Sequence, residues 1–167
     1  MELYLLRHGL AVMRDDLDYA RDAQRPLTPK GKRQLRQIAA AMKPMGLRFD
    51  LILSSPFARA RQTAEIVAGA LKRQKQLALC DALTPNGDPE ALMQQLNTAH
   101  PKAEAVLLVG HEPYLSRLIS VLTAGGTELA MDFKKGGLCK LEIEKPGYGR
   151  CATLKWLLTP KLMKVMD

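Results

Sequence analysis

The chain predicts an α/β fold, a three-layer sandwich with a mostly parallel central sheet flanked by helices and a C-terminal hairpin. Three observations predict it. Apolar runs of strand length recur at Leu3–Leu6, Leu51–Leu53, Leu77–Cys80 and Ala105–Val109. Unbroken apolar runs of this kind suit strands buried on both faces. Segments of helical spacing lie between them, and strands that alternate with helices return in parallel. Last, Leu138–Ile143 and Ala152–Leu158 are joined only by a short turn, Lys145-Pro146-Gly147-Tyr148-Gly149. Cys139, Leu141 and Ile143 alternate there with Lys140, Glu142 and Glu144, as in an antiparallel pair.

The helices announce their starts. Thr28-Pro29, Ser55-Pro56 and Asp88-Pro89 each set a capping side chain before a proline at the first helical position. Glu112-Pro113 repeats the arrangement with a poorer cap. The first helix is expected to stop before Pro44. After Pro56, Ala60, Ala64, Val67 and Leu71 form a stripe for packing on the sheet; Leu115, Leu118, Ile119 and Leu122 do so after Pro113. Ala124–Gly137, with two Gly-Gly pairs, is the longest expected loop, and Lys161 to Asp167 are expected to fray. There is no repeat, low-complexity tract or linker, so residues 1–167 read as one domain.

Composition narrows the class. Of 167 residues, 47% are hydrophobic and 25% charged, enough for a real core under a soluble surface. No apolar run approaches the ~18–20 residues that cross a bilayer. The N-terminus lacks the basic-then-apolar pattern of a secretion signal, so a cytoplasmic location without membrane contact is expected. Cys80, Cys139 and Cys151 are odd in number and lack metal-type spacing, and read as reduced thiols. A simple hairpin register sets Cys139 opposite Leu154 or Lys155, which argues against a Cys139–Cys151 bridge. The net charge of +8 favours anionic partners. Nucleic acid is not expected among them, because aromatics are 5% and no basic stripe is interleaved with stacking residues.

Three of the apolar runs share one design. Leu3–Leu6 is followed by Arg7-His8-Gly9, Leu51–Leu53 by Ser54-Ser55-Pro56-Phe57-Ala58-Arg59-Ala60-Arg61-Gln62-Thr63, and Ala105–Val109 by Gly110-His111-Glu112-Pro113. In a parallel sheet these carboxyl ends lie on one edge, where ligands of open α/β folds bind. Helix starts on that edge add backbone N–H groups and a positive dipole end. Imidazole is a competent nucleophile near neutral pH, and guanidinium matches a phosphoryl group in two-pronged fashion. His8 therefore reads as a nucleophile attacking phosphorus. Arg7 and Arg59 read as the grip on the equatorial oxygens, and a protonated His111 as a further donor. Periodicity alone leaves Arg59 and Arg61 open, because they point about 160° apart around a helix. Gly9 lets the backbone approach a ligand closely. No metal or other cofactor is expected, since Arg7 repels a cation beside His8 and the guanidiniums already supply positive charge. His100, before Pro101, reads as a surface residue.

Together these segments resemble the histidine phosphatase superfamily, the phosphoglycerate mutase-like fold. The resemblance rests on the strand-Arg-His-Gly opening, the segment from Ser54 to Ala64, and Gly110-His111-x-Pro113. Arg25-Pro26-Leu27-Thr28-Pro29-Lys30-Gly31 and Leu83-Thr84-Pro85-Asn86-Gly87-Asp88 are similar to the SixA-type phosphohistidine phosphatases within it. The resemblance runs along nearly the whole chain. It implies that His8 is the nucleophile, Arg7 the first phosphate-gripping arginine, Arg59 rather than Arg61 the second, and His111 the second histidine. Arg25 falls where SixA-type proteins have an arginine near the pocket. It is equally a loop arginine anchoring the turn before Thr28.

One departure bears on the substrate. Many relatives that cleave phosphate monoesters carry a glutamate that protonates the leaving alkoxide. Here Ala82 stands at the aligned position, with Asp81 beside it and Glu112 next to His111 as alternative donors. A phosphorylated imidazole needs less acid help, which favours a phosphoramidate substrate. Only 47 residues separate Thr63 from His111, little beyond the expected elements, so an open crevice is expected rather than a lidded one. The expectation is a metal-independent phosphatase acting on a histidine-phosphorylated protein. Its rivals are a general phosphatase on phosphorylated small molecules or polyphosphate, and a phospho-ligand binding module without turnover.

Overall fold

The computed structural model describes residues 1–13 and 21–165. Six strands form one sheet in the order β3-β2-β4-β1-β5-β6. They are β1 (Glu2–Arg7), β2 (Leu51–Ser54), β3 (Leu77–Leu79), β4 (Ala105–Gly110), β5 (Leu138–Ile143) and β6 (Ala152–Leu158). The first four run parallel, and β5 and β6 are antiparallel additions beyond β1. The helices are α1 (Pro29–Ala41), α2 (Ala58–Ala70), α3 (Pro89–Ala99), α4 (Tyr114–Ala124) and α5 (Pro160–Lys164).

The alternation along β1 divides the core. Leu3 and Leu5 point into a cluster with Leu92 and Leu96 of α3 and Leu115, Leu118 and Ile119 of α4. Tyr4 and Leu6 point the other way, against Leu35 and Ile38 of α1, Ala60 and Ala64 of α2 and Met163 of α5. Every one of these side chains is essentially excluded from solvent. Burying each large aliphatic one contributes about 1.5–3 kcal/mol, which is what clamps helices to both faces.

Local signals act as their chemistry dictates at three helices. Thr28 Oγ1 accepts from the Gly31 N–H at 3.0 Å, Asp88 Oδ1 from the Glu90 N–H at 2.8 Å, and Thr159 Oγ1 from the Leu162 N–H at 3.3 Å. Two starts differ from expectation. α2 begins at Ala58 rather than Pro56, because Ser55 Oγ accepts from the Phe57 N–H and closes a turn first. α4 begins at Tyr114, with Pro113 at its cap and Glu112 Oε1 accepting from the Ser116 N–H at 2.9 Å.

The chain end also departs from the reading as a fraying tail. Residues 160–164 form the capped helix α5 packed on α1; residues 166 and 167 lie outside the described residues. In the hairpin Cys139 pairs with Leu157, not with Leu154 or Lys155. An irregularity at Lys140/Leu141 and a connection closing at Ile143–Ala152 displace the register. Cys80, Cys139 and Cys151 are free thiols. Among the described residues no helix is long and apolar enough to cross a membrane.

Candidate active site

Register places the site. Arg7 pairs with Gly110 across β1 and β4, and Ser54 with Val109 across β2 and β4. The residues that follow each strand therefore emerge side by side. The His8 N–H donates to the Gly110 carbonyl at 3.0 Å, and the Ser55 N–H to the Val109 carbonyl at 3.0 Å. The His8 and His111 rings lie 5.1 Å apart, centroid to centroid.

His8 is held in one tautomer. Its Nδ1 lies 2.8 Å from the Gly9 carbonyl oxygen, which can only accept, so Nδ1 carries the proton. Nε2 is left with its lone pair, and the Arg59 Nε–H donates toward it at 3.3 Å. His8 is buried, with 7% of its surface exposed. Burial pushes its pKa down to about 3, and His111, Arg59 and Arg7 push the same way. The imidazole is therefore neutral at physiological pH, the form a nucleophile needs.

Arg59 and Arg61 part company on α2. Arg59 is buried, with Nη1 donating to the Asp22 carbonyl at 2.8 Å and Nη2 to the Asp22 carboxylate at 2.9 Å. Its guanidinium also lies over the Phe57 ring at 5.3 Å. Arg61 is half exposed and faces Glu65 at 3.7 Å. Arg7 donates through Nη1 to the Phe133 carbonyl at 2.7 Å, and its buried Nε has no hydrogen-bond partner among the described residues.

His111 is buried, its Nε2 lies 2.9 Å from Ser55 Oγ, and the Phe57 ring packs edge-on to it. Its Nδ1 is the second buried polar atom here without a described partner. Burial, then Arg59, lowers the His111 pKa to about 3, against a pull upward from Asp22. His111 is therefore neutral at physiological pH, chiefly through burial, with the nearby guanidiniums adding to the effect; the sequence reading expects it protonated as charge develops in the transition state.

Arg25 holds Asp22 Oδ1 through Nε at 2.9 Å and Nη2 at 2.6 Å, and the Val12 carbonyl through Nη1, and its charge helps lower the His111 pKa. The Gly9 N–H is committed to Thr63 Oγ1 at 3.2 Å, and its φ is ordinary. Glycine serves there because a Cβ would sit 2.7 Å from Leu35 Cδ1. Asp81 is exposed in a turn, while Glu112 is tied to the start of α4 yet close enough to stabilise the Arg7 charge. Sequence reasoning missed Asp22, Ser55 as a partner of His111, and Thr63. Asp22 is gripped by two guanidiniums: burial works to raise its pKa, but Arg25 and Arg59 win and hold it at about 2. The Asp22-x-x-Arg25 spacing was its only sequence signal. Among the described residues no cluster of three His, Cys, Asp or Glu could hold a metal ion.

The model of the histidine phosphatase superfamily (branch 1) matches residues 3–84. The phosphohistidine phosphatase SixA of Escherichia coli strain K12 is 30% identical over 166 residues, 99% of this chain and 98% of that protein. The chain belongs to the histidine phosphatase superfamily. An uncharacterized protein of Picosynechococcus is 41% identical over 143 residues, 84% of each chain. The solved structure of the protein histidine phosphatase SixA complexed with tungstate superposes with a TM-score of 0.83 at 29% identity, covering 96% of this chain and 98% of that one. This histidine phosphatase shares with it the six-stranded mixed sheet flanked by helices.

Proposed function

We propose that this phosphatase removes the phosphoryl group from phosphohistidine on a partner protein, through a phosphohistidine intermediate on His8 and without a metal. The observation that carries the reading is the His8 tautomer. Nδ1 is spent on the Gly9 carbonyl, so the Nε2 lone pair faces Arg59 beside a second imidazole. Nε2 attacks phosphorus in line, and the bond from phosphorus to the leaving nitrogen breaks. Water then attacks the phosphoenzyme and returns His8 to its free form.

Arg7 Nε and His111 Nδ1, buried without a hydrogen-bond partner among the described residues, offer donors to phosphoryl oxygens, the latter in the tautomer whose Nε2 accepts from the Ser55 hydroxyl, and Arg59 adds charge beside His8. Among the described residues, Arg7, Arg25 and Arg59 gather around the two imidazoles and Asp22, with Glu112 and Asp132 near Arg7. In this reading the guanidiniums, rather than a metal, meet the charge of the phosphoryl group. The similarity to SixA, whose name states its substrate, and the alanine at position 82 favour a phosphoramidate over an alkyl phosphate. Residues 1–167 act as one domain, with the whole site on one sheet edge.

The test is a rapid-quench reaction with a phosphohistidine peptide. An acid-labile, base-stable label on the enzyme is expected, and His8→Ala should abolish it. A label that survives in His8→Ala assigns the nucleophile elsewhere. Turnover of sugar phosphates with none of phosphohistidine would replace the substrate assignment.

A further inference from the structure

Beside the site lies an open groove of about 930 Å³ between the first half of α1, the loop before β5, and α5. Six basic residues line it: Lys30, Arg33, Lys134, Lys135, Lys161 and Lys164. No acidic side chain does so among the described residues. Three separate stretches converge here, so six of the 25 basic residues, distant in sequence, share one surface in the fold. Lys134 also pairs with the exposed Asp132 outside the lining, a surface contact that water screens.

The groove is joined to the catalytic edge through backbone. Leu10 lines it and stands two residues after His8, at most ~7.6 Å along the chain. Lys134 and Lys135 directly precede Gly136, whose N–H donates to the carbonyls of Arg7 at 3.0 Å and His8 at 3.2 Å. Gly136 has φ +78°, and a Cβ there would meet Ile38 of α1 at 2.9 Å and Pro160 at 3.5 Å. Only glycine lets this loop lie against α1 and α5 while holding the nucleophile strand.

We infer that this groove docks an acidic segment of the phosphorylated protein and presents its phosphohistidine to His8. The inference rests on the phosphohistidine reading above and names the partner's chemistry. Leu10 and Pro160 in the lining give apolar contact beside the charge, which suits a protein segment and is wasted on a bare polyphosphate. Among the described residues no aromatic side chain lines the groove, which gives no stacking platform for single-stranded nucleic acid.

Two phosphohistidine peptides test it, one flanked by about six glutamates, which span ~20 Å, and one by glutamines. The glutamate peptide should show a kcat/KM about tenfold higher or more at low salt, and the advantage should vanish near 0.5 M salt. K134E/K135E and K161E/K164E should each remove the advantage. Turnover of phosphoramidate, too small to reach the groove, should stay within about twofold, which also certifies folding. Equal turnover of both peptides, or an advantage untouched by the variants, overturns docking and leaves the phosphohistidine reading standing. Turnover of neither peptide overturns both. Stronger competition by polyphosphate or single-stranded DNA than by poly-glutamate assigns the groove to another anion and overturns the acidic-protein partner.

Discussion

Stability should fall steeply between pH 6.5 and 5, because the native state holds two imidazoles neutral. His8 and His111 move from an ordinary 6.5 to about 3 on folding, each chiefly through burial. Unfolded, both take a proton below pH 6.5; folded, neither does until about pH 3. The unfolded state then binds more protons, so acid favours it. The stabilisation is complete above pH 6.5 and is lost as pH falls toward 3. Each histidine costs about 1.4 kcal/mol per pH unit in that window. By pH 5 the loss is about 2 kcal/mol each and about 4 kcal/mol for the pair, a large share of a typical 5–15 kcal/mol. Asp22 works in the same direction only below its unfolded value of 3.8, so the window from 6.5 to 5 belongs to the imidazoles. Urea unfolding at half-unit pH steps measures the slope, and His8→Asn should halve it. A flat profile, or NMR titration of either ring near 6.5, would refute the burial argument.

Three further outcomes follow from the site's contacts. Arg59→Ala should lower kcat about 100-fold or more, whereas Arg61→Ala, which loses only an exposed pair with Glu65, should change kcat less than twofold and stability by under about 0.5 kcal/mol; paired kinetics and denaturation decide it. Asp22→Asn removes the charge that two guanidiniums share, so kcat should drop about tenfold and stability by about 1–2 kcal/mol, read from single-turnover rates and urea midpoints. Thr63→Val leaves the buried Gly9 N–H without its acceptor and should cost about 1–3 kcal/mol, with hydrogen exchange at Gly9 accelerated.

Much of the fold could be read from residues because its causes are local. The limits of β5 follow from alternation, and Thr28 and Asp88 cap where their side chains reach the next N–H groups. Misreadings arose where a side chain had a second use. Ser55-Pro56 has the form of a helix start, yet the Ser55 hydroxyl bonds the Phe57 N–H and faces His111, so α2 begins later. The hairpin register slipped because an irregularity at Lys140/Leu141 leaves no mark in a period-two pattern. α5 was read as a tail because five residues carry too little periodicity, although Met163 beneath them is fully buried.

Site residues divide by the same logic. Arg7, His8 and His111 were legible because topology alone brings the ends of parallel strands to one edge. Arg59 was legible only by resemblance, since spacing on a helix gives two faces and no information on which one meets the sheet. Asp22, Ser55 and Thr63 were not legible, because each acts through a contact between elements 37 to 56 positions apart. Asp22 holds the Arg59 guanidinium, Ser55 faces His111 and Thr63 takes the Gly9 N–H, so the three position the site without supplying the chemistry. Arg59 makes the point: its Nε meets His8 while Asp22 takes both terminal nitrogens and Thr63 bonds its carbonyl. A chain that kept Arg-His-Gly and lost the Asp22 carboxylate would carry the motif while its second arginine lost an ion pair beside His8, so the contacts around Arg59 bear on competence together with the motif.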